Sequence, residues 1–370
     1  MPIEKQRLLN EFKSLIAIDN PSFGEKQMGD YLKECLLTMG FTVEQDAPLT
    51  SSPKSCGNIH GFLNGDGKGD PVLFCAHMDA IEPSCGKHAV VGNDGIIRSA
   101  GDTVLGADDC AGIAAILEAL HTISAERLSH RPIEVLFTVA EELYCKGAER
   151  FDFSKVQAKE AYVLDLTGPV GTAAYQAPTI LSFKAEVIGK AAHAGFAPED
   201  GIHAIAVAAT AIGRLRMGRI DEETTLNIGL IEGGTATNIV PQSCIVTGEI
   251  RSYSHPKALQ QAEKVKECFQ KAAEEAGAIA RVDIICCCEG YEISLSHPVV
   301  SRFRAACNKM ALEPVLCKTF GGSDNNHLVK HGISGIVLAN AMFRCHSCEE
   351  YTTVEELRRI AELTLLLMTM

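Results

Sequence analysis

Residues 71–80 read PVLFCAHMDA. Residues 71–76 are an unbroken apolar run, and His77 and Asp79 follow it one residue apart. A run of this length without alternation is typical of a strand buried on both faces, in a sheet covered by helices. The pattern recurs downstream. Residues 133–140, IEVLFTVA, run into Glu141 and Glu142, and residues 161–166, AYVLDL, carry Asp165 near their end. Between the first two runs, Ile113, Ile116, Leu117, Leu120 and Ile123 recur at helical spacing within 109–127. Upstream, Met28, Tyr31, Leu32, Cys35 and Leu36 share one helical face over 25–39, closed by Gly40. Strands and helices in alternation predict an α/β domain.

The middle of the chain differs. It reads as strand (179–189), helix (202–216), strand (224–231), strand (244–251), helix (256–276) and strand (280–288). This βαββαβ order is the ferredoxin-like arrangement of one compact domain. The α/β pattern then resumes, with a helix over 297–310, a strand over 333–339 and a helix over 353–369. Thr353 and Glu356 suggest a capping box for the last helix. The predicted architecture is an α/β domain interrupted by a smaller inserted one. It divides as 1–177, 178–289 and 290–370.

Composition excludes several classes. The chain has 370 residues, 46% of them hydrophobic, and carries a net charge of −13. Nucleic acid and acidic membranes are poor partners for such a charge. No uncharged apolar run reaches membrane-spanning length, and the start, MPIEKQRLLNEFKSLIAI, reads as an amphipathic helix and not as a signal peptide. Fifteen cysteines, an odd number, predict reduced thiols in a cytoplasmic protein. Cys286, Cys287 and Cys288 are consecutive, so on a strand they alternate faces and cannot all reach one ion. Cys345 and Cys348 flank His346, without a second cysteine pair at zinc-ribbon spacing.

Acids and histidines gather where the strands end, and Asp108 stands before a helix after the loop LGAD. In open α/β sheets, ligands bind beyond the carboxyl ends of the strands. Taken singly, each residue has a structural explanation. His77 could be a core histidine, Glu141 and Glu142 a solvated helix start, and Asp108 and Asp109 an N-cap. Asp165 is harder to dismiss, because an acid inside an apolar strand needs a partner. So many carboxylates on one edge repel one another unless a divalent cation, or two, compensates. Imidazole and carboxylate donors suit zinc, with manganese or cobalt as alternatives. Two ions would activate a water and polarise a carbonyl, and one unligated glutamate could act as general base.

The motifs CAHMDA (75–80), LGADDCAG (105–112), AEE (140–142), LDL (164–166), GKAAHAG (189–195), TNIVP (237–241), GEIRS (248–252), GGSDNN (321–326) and CHSCEE (345–350) span nearly the whole chain. Together and in this order they resemble the M20 family of co-catalytic zinc peptidases, and within it the peptidase T-like branch. The M42 aminopeptidases share similar motifs, but their inserted domain falls between the first two. Here only 28 residues separate Asp79 from Asp108. The resemblance implies a zinc-exopeptidase-like catalytic domain with the inserted domain as lid and dimerisation domain. It implies that His77, Asp108 and Asp165 hold one metal ion, and that Asp108, Glu142 and His346 hold the other. Asp79 would orient His77, and Glu141 would be the base. It also implies that His193, from the partner subunit of a homodimer, stabilises the oxyanion. Asn238 and Arg251 would bind polar groups of the substrate, and Gly321 and Gly322 would admit it closely. His193 could otherwise cap a loop, Asn238 could be a turn residue and Arg251 a surface cation. His203 is not expected to be catalytic.

Two departures stand out. Cys110 occupies a position that is lysine in many relatives, and Cys345 and Cys348 could make activity redox-sensitive. The implied reaction is hydrolysis of short peptides from the amino end, as in tripeptidases. Deacylation of N-acyl amino acids is the alternative on the same scaffold. A non-catalytic binding protein or a cysteine-rich metal sensor is disfavoured, since every ligand and Glu141 are present.

Overall fold

A computed structural model describes residues 3–66 and 69–370, so Met1 and Pro2 of the expected first helix lie outside the described residues. The chain forms two compact units. One comprises Met1–Gln176, Glu292–Thr319 and Ser323–Met370, the other Ala177–Tyr291 and Phe320–Gly322.

The first unit is built on a mixed sheet. In chain order its main strands are β1 (Thr42–Gln45), β2 (Ile59–Leu63), β3 (Val72–His77), β4 (Ile133–Thr138), β5 (Glu160–Thr167), β6 (Thr172–Ala177) and β7 (Ser334–Met342). Their spatial order is β1-β2-β4-β3-β5-β7-β6. The four inner strands β4, β3, β5 and β7 run parallel, and β2 and β6 flank them antiparallel. Every residue of β3 and β4 is buried, as their largely apolar sequences require, and the one acid among them, Glu134, accepts the Gln157 and Ala158 N–H groups.

Helices cover the sheet. In α1 (Lys5–Ile16), Leu8, Phe12, Leu15 and Ile16 turn inward, and the Glu4 carboxylate accepts the Gln6 and Arg7 N–H groups at its start. α2 (Lys26–Thr38) buries Met28, Leu32 and Leu36. α3 (Ala107–Glu126) is apolar nearly all round and buried accordingly. Beyond the acids of its first turn, the buried Glu118 is met by both Nε and Nη2 of Arg7 on α1, at 2.7 and 2.8 Å. The last helix, α4 (Val354–Thr369), starts with Thr353 Oγ1 accepting the Glu356 N–H at 3.0 Å. The reciprocal half of the expected capping box is replaced. The Glu356 carboxylate accepts the Val170 N–H at 2.7 Å and a guanidinium N–H from Arg359.

The second unit is an antiparallel sheet with helices Ala204–Gly213 and His255–Ala276. Its long strands lie in the order Thr224–Gly233, Ser243–Ser252, Thr179–Ile188, Ile279–Cys288, which is the ferredoxin-like order. Leu181, Phe183, Ala185 and Val187 alternate inward and pack with Val207, Ala211, Val265 and Phe269. The register shifts between Cys286 and Cys288, so the cysteine run includes an irregularity.

The approach of α3 to β5 sets the spacing of the first unit's core. A Cβ on Gly112 would lie 2.8 Å from the Leu164 carbonyl oxygen and 2.9 Å from the Leu164 Cβ. Gly112→Ala therefore forces the helix off the strand beside Asp165. We expect a loss of roughly 1–3 kcal/mol, measured as a lower thermal midpoint. An unchanged midpoint would show that the helix can shift without cost.

Candidate metal centre

The four parallel strands end on one edge. β3 closes on His77, β4 leads into a turn carrying Glu141 and Glu142, β5 carries Asp165, and β7 leads into the loop of His346. Asp108 joins them from the start of α3, where Asp108 and Asp109 depart from helical dihedrals. The structure thus brings together His77, Asp79, Asp108, Glu141, Glu142, Asp165 and His346, all in the first unit.

Their geometry is specific. The Nδ1 of His77 lies 3.0 Å from the Asp79 carbonyl oxygen, which can only accept, so Nδ1 carries a proton. That leaves Nε2 facing Asp108 Oδ1 at 2.9 Å and Asp165 Oδ1 at 4.0 Å. The other oxygen of Asp108, Oδ2, lies 3.4 Å from His346 Nε2, which is also 3.1 Å from Glu142 Oε2. The two oxygens of Asp108 therefore face different histidines. His77, Asp108 and Glu142 offer donor atoms within 4.8 Å of one another, and so do His77, Glu141 and Asp165.

Electrostatics follows from burial. Desolvation would lower the imidazolium of His77, but hydrogen bonds to Asp108 and Asp79 outweigh it and raise its pKa well above the usual range. Asp108 would be raised by burial, yet His346 and His77 hold it below the carboxylate range. Hydrogen bonds to Asp108 and Glu142 raise His346 to about 10. Burial pushes Glu141 and Asp165 well up, and each is raised further by neighbouring acids. Buried Glu142 Oε1 has no hydrogen-bond partner among the described residues. An orphaned carboxylate oxygen among imidazole and carboxylate donors fits the demands of a divalent cation.

Residues that the sequence reading did not single out hold these groups in place. The Asp109 carboxylate accepts the His77 N–H at 3.0 Å through Oδ2 and the Gly112 N–H at 3.2 Å through Oδ1. Asn340 on β7 donates through Nδ2 to Asp109 Oδ1 and to the Leu164 carbonyl, at 2.5 and 2.9 Å. One buried amide thus ties β7 to α3 and to the residue before Asp165. Glu350, four residues after His346, accepts the Gly106 and Asp108 N–H groups at 2.7 and 2.9 Å. Asp79 does more than face His77. Its carboxylate accepts the Glu141 and Glu142 N–H groups at 2.9 and 3.2 Å and the Ser22 hydroxyl at 2.7 Å. His346 itself has φ of +61°, a conformation that surrounding structure must enforce. Asp109 and Glu350 lie inside quoted motifs, whereas nothing in the sequence pointed to Asn340 or Ser22.

The remaining candidates lie in the second unit. His193 Nδ1 accepts the Gly195 and Phe196 N–H groups at 3.1 and 3.2 Å, which leaves the neutral ring's proton on Nε2. Asn238 is its neighbour, its carbonyl accepting the Ala194 N–H at 3.0 Å. Arg251 is held as a fork by Glu249, at 2.8 and 3.0 Å, and donates through Nη1 to the Phe320 carbonyl at 2.7 Å. A Cβ on Gly322 would lie 2.7 Å from Ile180 Cδ1. Cys345 and Cys348 form no disulfide.

A family profile described as Peptidase dimerisation domain matches residues 176–280, and one described as Peptidase family M28 matches residues 58–202. The chain is 38% identical to a Bacillus subtilis (strain 168) protein called Uncharacterized protein YqjE, over 98% of this chain and 97% of that protein. It is similar to the crystal structure of a tripeptidase from Staphylococcus aureus subsp. aureus Mu50, with 33% identity and a TM-score of 0.93 over 99% of this chain and 98% of that one. It is also similar to that of aminopeptidase PepT from Bacillus cereus ATCC 10987, with 37% identity and a TM-score of 0.89 over the same shares.

The chain belongs to the M20 family of metallopeptidases. Its relatives include a tripeptidase and an aminopeptidase PepT, and its profile matches cover most of the candidates, with His193 in both and His346 and Gly322 in neither. The M28 match holds His77 to Asp165, and the dimerisation match holds Asn238 and Arg251. Among the described residues, no helix of this metallopeptidase is long and apolar enough to cross a membrane.

The brace through Asn340 yields a prediction. Asn340→Leu removes both of its hydrogen bonds, and zinc affinity should fall on the order of 10–100-fold, as for other groups that orient metal ligands. Competition with a chromogenic chelator measures this. Wild-type affinity in a folded variant would deny Asn340 that role.

Proposed function

We propose that this metallopeptidase hydrolyses short peptides from their amino end, as an aminotripeptidase. One observation carries the reading: the buried Glu141 carboxylate shares a 4.8 Å cluster with His77 and Asp165. This proximity supports Glu141 as a base beside residues suited to hold a metal ion. The tripeptidase and aminopeptidase T relatives support the substrate class.

His77, Asp108 and Asp165 would hold one divalent ion, and Asp108, Glu142 and His346 a second. Zinc suits these donors best, with manganese or cobalt as alternatives. When bound, the two ions would lower the pKa of a water and polarise the scissile carbonyl. Glu141 takes the proton from the attacking water and passes it to the departing amine. Burial raises its pKa, which makes the ionised carboxylate a stronger proton acceptor. Asp79 fixes the turn on which Glu141 and Glu142 sit, because its carboxylate binds both of their N–H groups.

The second unit supplies groups for the substrate. His193 has its Nε2 proton available to donate to the developing oxyanion, and we assign this role to the His193 of a partner copy in a homodimer. Arg251, with its fork oriented by Glu249, suits a substrate carboxylate. Asn238 suits a polar backbone group, whereas the space that a Gly322 side chain would need is taken by Ile180. A cytoplasmic location accords with the substrate class.

The test is a substrate panel on protein reconstituted with zinc or manganese: dipeptides, tripeptides with free and blocked amino ends, and N-acyl amino acids. Free-amine tripeptides should be cleaved fastest. Glu141→Gln should retain metal binding while losing on the order of 10²–10⁴ in kcat. Preference for blocked or acylated substrates would replace the peptidase reading with a deacylase one. Full activity in Glu141→Gln would remove the base assignment.

A further inference from the structure

One cluster beside the centre is not used by the proposed reaction. Cys145 follows the turn of Glu141 and is buried. Tyr144 and Cys145 both have positive φ, 66° and 55°. Two successive non-glycine residues in this region must be held there by their surroundings. The Cys145 N–H donates to the Glu141 carbonyl at 2.7 Å, and its Sγ lies 3.2 Å from Glu141 Oε1. The backbone thus folds the sulfur back onto the carboxylate.

Two further groups close around that sulfur. Glu141, Cys145 and Asp324 present donor atoms within 4.8 Å of one another, and a ring nitrogen of His327 lies within the same distance of the Cys145 Sγ. Asp324 and His327 are one helical turn apart, the His327 N–H donating to the Asp324 carbonyl at 3.0 Å. Asp324 is 2% exposed and His327 6%. Asp324 Oδ2 accepts the Thr138 hydroxyl, but Asp324 Oδ1 has no hydrogen-bond partner among the described residues. Nor has His327 Nε2. Orphaned buried polar atoms call for an explanation, and an ion is one.

We propose that Cys145, Asp324 and His327, joined by Glu141, form a regulatory site for a soft divalent cation, zinc or cadmium, that shares no residue with the proposed ligand sets His77–Asp108–Asp165 and Asp108–Glu142–His346. One sulfur, one nitrogen and two carboxylates supply the four donors of a tetrahedral site. A thiolate selects zinc or cadmium over magnesium, calcium or manganese. On binding, the Cys145 S–H proton leaves to solvent as the sulfur–metal bond forms, without any change of oxidation state. Glu141 then spends its carboxylate on the cation and can no longer take a proton from water. Excess soft metal should therefore inhibit the enzyme. This last step rests on Glu141 being the base, whereas the site itself does not.

The test uses cadmium added to the full chain preloaded with its resident ions. Cadmium exchange into the metal centre gives no thiolate band, because His77, Asp108, Glu142, Asp165 and His346 contain no sulfur. In wild type, the ultraviolet thiolate-to-cadmium charge-transfer band should grow by one equivalent more than in Cys145→Ala, in parallel with loss of tripeptidase activity. Cys145→Ala and His327→Gln should each need on the order of 10-fold or more cadmium for the same fractional inhibition, the scale on which ligand-shell changes act. Manganese at equal excess should not inhibit. If Cys145→Ala does not fold, His327→Gln carries the comparison. Identical bands and identical inhibition in wild type and variants would overturn the site. A Cys145-dependent band in a chain without peptidase activity would uphold the site and count against the proposed function alone.

Discussion

Buried negative charge at the carboxyl edge of four parallel strands is the constraint on which the first unit depends. Asp79, Asp108, Glu141, Glu142 and Asp165 converge there with only two imidazoles. Two like charges 4 Å apart repel by about 4 kcal/mol at an effective dielectric near 20, so the cluster is costly without compensation. Among the described residues the ion pairs of these acids are with His77 and His346, and none is with lysine or arginine. Monovalent cations from side chains would relieve the repulsion but would also fill the site. Imidazole and carboxylate donors left facing one another instead suit divalent ions, which neutralise more charge in less space.

Holding such a cluster open requires rigid support, and backbone N–H groups provide much of it. Asp109 binds the end of β3 and the first turn of α3. Glu350 binds the loop before α3, and Asp79 binds the turn after β4. Asn340 ties Asp109 to the Leu164 carbonyl on β5. Each carboxylate that serves as a brace is thereby satisfied, while Glu142 keeps an oxygen free for a ligand. A buried polar network is stabilising only when its members are paired. Asp324 and His327 beside Cys145 also keep buried atoms without a hydrogen-bond partner among the described residues.

Much of this was legible in the sequence. The largely apolar runs before His77, before Glu141 and around Asp165 are strands, and they are parallel neighbours, so their ends share one edge. The βαββαβ pattern of the middle segment is the antiparallel second unit. What the sequence could not carry was the direction of individual side chains. Asn340 sits in an apolar strand with nothing to mark it, and its importance arises from the pairing of β7 with β5. Glu356 looked like half of a capping box, but the chain folds Val170 back within its reach. Asp79 looked like a partner for the His77 ring, and its carboxylate does lie 3.4 Å from Nδ1, but the Asp79 carbonyl is closer at 3.0 Å and the carboxylate also serves the Glu141 turn. Such choices depend on contacts between segments distant in sequence, which local pattern does not encode.

The two metal ions are the claim from which the chemistry, the role of Glu141 and the reading of the braces all follow. Anomalous diffraction from crystals of the zinc-reconstituted protein, collected on both sides of the zinc edge, tests it most directly. The account predicts two peaks of comparable height flanking Asp108, one among His77, Asp108 and Asp165 and the other among Asp108, Glu142 and His346. A single peak away from Asp108, or none in crystals grown with zinc, would contradict it.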